Sequence, residues 1–176
     1  AANGDVSTVA TFPGGMAPAP PFLGLPPGTM IPYQSVPTSI AQGPDGAYYV
    51  GELTGFPFPA GAARVYRVME GEAPTMYAGG FTHIIDLAFA ADGTMWVLQF
   101  SQDSLLAGFP VGSLVEVRPD GTRYDHLFAG ELIAPTGLAI GPDGALYISN
   151  FGIFPGQDPG GFFPGTGEVL RYVPAP

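Results

Sequence analysis

An all-β fold built from a repeated unit is predicted by three observations on the 176-residue sequence. The composition is 46% hydrophobic, yet Gly (27) and Pro (21) together exceed a quarter of the chain. That mixture fits many short strands joined by turns and elaborate loops, not a chain too polar to bury a core. Three segments also align with one another: PTSIAQGPDGAYYVGE from Pro37, IIDLAFAADGTMWVLQ from Ile84 and PTGLAIGPDGALYISN from Pro135. Their turn aspartates Asp45, Asp92 and Asp143 are 47 and 51 residues apart, near the period of a four-stranded β-propeller blade.

Each repeat reads as strand, tight turn, strand. The Asp-Gly pair supplies the positive-φ positions of a two-residue hairpin. Four residues after each turn aspartate comes a large aromatic (Tyr49, Trp96, Tyr147), followed by a β-branched residue (Val50, Val97, Ile148). These are expected to fill the wedges between blades. Third strands are expected at 64–68, 113–117 and 168–172, and fourth strands near 75–78 and 122–128.

The third unit has no fourth strand before Pro176, while residues 5–12 read as an outer strand with no blade ahead of it, entered through Ala2-Asn3-Gly4. The expected organisation is therefore an outer strand 5–12, a long loop 13–36, and blades at 37–80, 81–130 and 131–176. In full, the expectation is an all-β β-propeller with three four-stranded blades per chain. Three blades are too few to close a ring, and open blade edges are exposed hydrogen-bonding strands. A second half is expected to complete a six-bladed ring. It is either an identical chain, giving a homodimer in which each N-terminal strand finishes the partner's last blade, or the N-terminal half of a longer precursor.

Charge narrows the partners. The net charge is −10 and every basic residue is Arg, with no basic cluster, which argues against nucleic acid and anionic membrane surfaces. No cysteine is present, so disulfides, thiolate metal sites and a Cys nucleophile are excluded. No apolar run approaches the roughly 18 residues of a membrane span. Arg67, Glu116 and Arg171 occupy equivalent positions and are expected to form outward-facing surface pairs.

The runs PTSIAQGPDGAYYVGELTGFPFPAGAARVYRV from Pro37, FTHIIDLAFAADG from Phe81 and APTGLAIGPDGALYISNFG from Ala134 resemble the ScyD/ScyE family of propeller proteins. VSTVATFP and the Pro-rich PAPPFLGLPPGTMIP after it also resemble that family's middle region. The likeness covers nearly the whole chain but only the C-terminal half of members about twice its length. It implies a propeller fold and secretion to an extracellular or periplasmic space, with no catalytic set to carry over. More distantly the repeat is similar to NHL-type and gluconolactonase-type propellers.

The loops after the second strands (52–62, 99–112, 150–167) and the entry loop 13–36 share one face, opposite the Asp-Gly turns. That face is rich in Phe56, Phe58, Phe109, Phe154, Phe162 and Phe163, as a surface contacting a partner or apolar ligand would be. The same rings could instead pack on one another. Glu52, Gln99 and Asn150, seven residues after the turn aspartates, and Ser39, Asp86 and Gly137, six before, are expected at the channel mouth there. Glu52, Asp86 and Asn150 are candidate ligands for a hard divalent cation such as Ca²⁺; a solvated polar funnel is the plainer reading. Gluconolactonase-type propellers hold a divalent metal in a comparable place. His83 is a candidate base near that funnel, and His126 is expected on an outer strand. No catalytic residue and no certain cofactor are assigned. The expected function is a non-enzymatic binding and assembly module, the alternative a metal-dependent lactonase-like hydrolase.

Overall fold

A computed structural model describes residues 4–128, 130–152, 157–158, 161–162 and 167–174. A hairpin of β1 (Gly15–Pro18) and β2 (Met30–Tyr33) comes first and lies inside the segment expected to be a plain loop. Its strands are held in register from Gly15 opposite Tyr33 to Pro18 opposite Met30. Residues 4–14 join no strand, so the outer strand expected at 5–12 is not formed within this chain. Among the described residues no strand pairs with that segment.

The first blade is the antiparallel sheet of β3 (Ser35–Gln42), β4 (Tyr48–Thr54), β5 (Ala63–Val68) and β6 (Thr75–Phe81), in that order. The second repeats it with β7 (Ile84–Phe89), β8 (Met95–Gln99), β9 (Ser113–Val117) and β10 (Arg123–Leu127). The third contains β11 (Gly137–Ile140) and β12 (Leu146–Asn150). A short ladder of β13 (Gln157–Asp158) and β14 (Gly161–Phe162) precedes its last strand, β15 (Glu168–Tyr172). Among the described residues the third blade thus has three strands, and β15 is its outer edge.

The Asp-Gly turns form by a different route from the one expected. Only the glycines take positive φ (Gly46 82°, Gly93 89°, Gly144 75°). The Gly46 amide donates to the Gly43 carbonyl at 3.0 Å, and the Gly43 amide donates to the Ala47 carbonyl at 2.9 Å. This is a three-residue hairpin closed by a left-handed glycine, not a two-residue one. The aspartate side chain braces it by accepting from the amide two residues on: Ala47, Thr94 and Ala145.

The first strands β3, β7 and β11 lie side by side, and the blades fan outward from them. This is the β-propeller arrangement. Between the first and second blades, Tyr49, Ala63, Val65 and Phe81 meet Leu87, Met95, Val97 and Val115 in one buried cluster. Between the second and third, Trp96, Leu98 and Leu114 meet Leu138, Leu146 and Ile148. Polar struts cross the first of these seams. Thr38 Oγ1 donates to the Ile84 carbonyl at 2.6 Å, and the Arg123 guanidinium donates to the Gly79 carbonyl while lying 4.2 Å over the Phe81 ring.

Candidate functional site

The second strand of each blade carries a buried polar residue at or near its end: Glu52, two residues before the end of β4, and Gln99 and Asn150, the last residues of β8 and β12. In the second blade the Thr82 amide donates to Gln99 Oε1 at 2.6 Å, and Gln99 Nε2 donates to Ser113 Oγ at 2.7 Å. In the third, the Ile133 amide donates to Asn150 Oδ1 at 2.7 Å, and Asn150 Nδ2 donates to Glu168 Oε1 at 2.9 Å. In the first, Ser35 Oγ donates to Glu52 Oε2, and Arg64 Nε donates to Glu52 Oε1 at 2.5 Å. All three residues act alike, each clasping the chain that enters its blade to the start of the third strand.

The expected metal set is therefore not assembled. Both Glu52 oxygens, and Asn150 Oδ1, are taken by these clasps. Asp86 does something else: its Oδ2 accepts from the Leu138 amide at 2.7 Å and its Oδ1 from its own Leu87 amide at 2.8 Å. It thereby bolts the first strand of the second blade to that of the third. Burial pushes its carboxyl above the usual range, against the lowering effect of these two amides. No group of three or more His, Cys, Asp or Glu able to hold a metal occurs among the described residues. Oxygens so committed do not fit a hard cation, which needs six to eight free donors.

His83 is fully buried at φ 48°, with Thr54 Oγ1 at 3.4 Å from Nδ1 and no hydrogen-bond partner at Nε2. Burial lowers its pKa to about 4, the Phe58 main chain opposing only in part. No carboxylate bonds to its ring, so the geometry does not make it a base. His126 lies on β10, as expected of an outer strand.

On the loop face, Phe22, Phe56, Phe58 and His83 form a chain of ring contacts with centroids 6.0 to 6.3 Å apart. These rings pack on one another, and Phe22, Phe56 and Phe109 remain exposed. Phe162 lies on β14, while Phe154 and Phe163 fall outside the described residues. The equivalent arginines pair within their own blades, Arg67 to Asp45 and Arg171 to Asp143, each at 2.7 Å. Glu116 pairs with Arg118 at 2.6 Å.

The blades differ most at the two ends of the fan. Ile40, Leu87 and Leu138 stand at the same repeat position, and their exposures are 65%, 3% and 9%. For Tyr48, Met95 and Leu146 the values are 49%, 0% and 0%. The opposite blade face shows the mirror image: Val65 and Leu114 are fully buried, and Val169 is 69% exposed. A blade's entry face is thus open only in the first blade, and its exit face only in the third. The open entry face borders a groove of about 740 Å³, lined by Ile40, Tyr48, Val50 and Val68 and by Val9, Ala10 and Phe12 of the N-terminal segment. Sequence reasoning did not single out Phe12 or Val169. The signal was present: Phe12, Phe81 and Phe128 each end a seven-residue run preceding a blade.

A three-bladed β-propeller chain with two unmated blade faces is the class of protein that these features define. No family model matches the chain, and no curated protein is found to be similar to it. Among solved structures it is similar to one described as a "putative gluconolactonase", at 19% identity and a TM-score of 0.48. The match covers 71% of this chain and 46% of that one, so this chain spans less than half the length of its neighbour.

Proposed function

We propose that the chain is a secreted, non-enzymatic propeller module of the ScyD/ScyE type, which works by assembling with a second half and by binding through its loop face. The observation that carries this reading is the pair of open blade faces. Ile40, Tyr48 and Val169 are large apolar groups held in water at positions the other blades bury. Contiguous apolar surface of this kind marks an interaction site. The exposed rings of Phe22, Phe56 and Phe109 supply the second, loop-side surface for a partner or apolar ligand. The polar residues at the strand ends are engaged in clasps, which supports a structural role for them over a hydrolytic one.

Native mass spectrometry of the purified chain tests the reading. The expected result is a species at a multiple of 18.2 kDa carrying no metal. A chain that stays monomeric up to high concentration overturns the assembly reading. A stoichiometric retained divalent cation overturns the non-enzymatic one.

A further inference from the structure

We infer that the second half is another copy of this chain, and that residues 6–12 of each copy become the missing fourth strand of the other copy's third blade. This rests on the assembly reading above and names its partner and its contact.

The position of Phe12 carries the argument. Phe81 ends the fourth strand of the first blade and is buried against the second blade. Phe128 directly follows the fourth strand of the second blade and packs on the third, its ring 4.7 Å from that of Tyr172. Phe12 sits in the same relation to the first blade, its ring 4.8 Å from that of Tyr66 and against Val50 and Val68. A phenylalanine ending a fourth strand thus plugs the entry face of each following blade, and the first blade already has its plug. The blade to which that strand belongs is not among the described residues.

Just upstream of Phe12 the chain has strand-forming residues that pair with no strand among the described residues. Val6 and Val9 are 97% and 53% exposed, and residues 4–14 join no sheet. The segment is anchored at its far end, where Arg64 Nη2 donates to the Pro13 carbonyl at 3.0 Å. Meanwhile β15, the outer strand of the third blade among the described residues, pairs on its outer side with no described strand and offers that edge to a strand that arrives. A second copy fits for a reason of continuity. The exit face of a third blade is the repeat equivalent of the faces that already cover the entry faces of the second and third blades. Seating it on the open entry face of another copy reproduces a seam the chain forms twice. That docking brings the exposed N-terminal segment beside the free β15 edge. In the first blade Val65 lies opposite Ala78, three residues before Phe81. The register of the first blade sets Val9 opposite Val169 of the other copy, pairing two exposed valines, while that of the second blade, in which Leu114 lies opposite Leu127 directly before Phe128, sets Thr11 there.

The chain contains no cysteine, so engineered thiols report this contact cleanly. Val9→Cys and Val169→Cys are made as separate variants, mixed, and oxidised mildly. The expected product is a disulfide-linked pair at twice 18.2 kDa containing one of each variant, formed far faster than either variant links to itself. Hydrogen–deuterium exchange on the unmodified chain is the companion measurement. Amides 6–11 and 168–172 should gain protection together as concentration rises. If the chain associates without the mixed disulfide or this protection, strand exchange is wrong and the assembly reading stands. If it stays monomeric under all conditions, both fail, and the occupant of the open faces is not a second copy. A Val9→Cys/Val169→Cys double variant that only links within one chain also overturns the exchange.

Discussion

The seam between the first and second blades and the open entry face of the first blade are built from the same repeat, and they differ only in whether a neighbour is present. In the seam, Leu87 and Met95 are sealed from water by Tyr49, Val65 and Phe81. At the open face, Ile40 and Tyr48 occupy the same positions, with Thr8, Val9, Ala10 and Phe12 of the N-terminal segment lining the groove beside them. Covering a large apolar side chain stabilises by roughly 1.5–3 kcal/mol, so the seam holds what the open face has yet to gain. Stability within the chain should therefore rest on the two seams, and association on the two faces.

The sharpest way to break that comparison is to truncate equivalent phenylalanines. Phe81 is fully buried, and Phe81→Ala should cost about 3–5 kcal/mol in urea unfolding, a large share of a domain's total stability. Phe12 is half-buried, and Phe12→Ala should cost well under half of that while weakening association at least as much as folding. Equal losses of folding stability would mean that the open face already behaves as a finished seam.

Next in size is a pH effect centred on His83, which sits at the loop-side end of the first seam. Burial sets its folded pKa near about 4, below the ordinary 6.5 of the unfolded chain. Between those values the unfolded chain binds a proton that the folded chain refuses. Stability is therefore complete above pH 6.5 and falls as the pH drops toward 4, by up to about 3 kcal/mol. Asp86, its carboxyl pushed up by burial, works in the opposite sense: its burial penalty is relieved as it protonates. His83→Asn should flatten the descent, because Asn tolerates the left-handed backbone and does not titrate. Melting temperatures of both proteins from pH 4 to 7 check this; parallel curves would contradict it.

The fold was legible in the sequence because it follows from local, repeated chemistry. The Asp-Gly turns, the aromatic four residues on and the β-branched residue after it recur in register, and each marks a real hairpin. The site was less legible for the reason that Glu52, Asp86 and Asn150 illustrate. Composition and spacing place three oxygen-bearing side chains at strand ends but say nothing of where the free amides lie. Amides at Ile133, Leu138 and Leu87 take the oxygens of Asn150 and Asp86, and the Ser35 hydroxyl and Arg64 guanidinium take those of Glu52. The β1–β2 hairpin was hidden in a Pro-rich stretch that shows no alternation of apolar and polar residues. Tyr147 matched the aromatic pattern yet is only half-buried, because no described blade packs on its face of the third blade.

A clasp residue offers a smaller and more local test. Gln99→Ala leaves the Thr82 amide and Ser113 hydroxyl without their partner inside the protein, which should cost about 1–3 kcal/mol. Gln99→Glu keeps an acceptor for Thr82 but presents no donor to Ser113, whose hydroxyl can turn to donate instead. That variant should lose less, unless burial of its carboxylate outweighs the restored bond. If Ala and Glu are equally silent in thermal melts, the clasp is packing and not hydrogen bonding. Ca²⁺ added to the unmodified chain should leave its melting temperature where it was.

The smallest effects are expected at Arg67 and Arg171, which make the same exposed pair with the turn aspartate of their own blade. Such pairs add little to folding, because solvent screens them and long side chains lose freedom to form them. Neither Arg67→Ala nor Arg171→Ala should move the melting temperature measurably. They should part company in association. Arg67 flanks a seam that is already closed, whereas Arg171 lies on β15, at the edge that an arriving strand would cover. Sedimentation equilibrium should show Arg171→Ala weakening self-association a few-fold at low salt, with Arg67→Ala unchanged. Identical behaviour of the two variants would place the contact between copies away from the third blade, and the comparison between closed seam and open face would then lose its meaning.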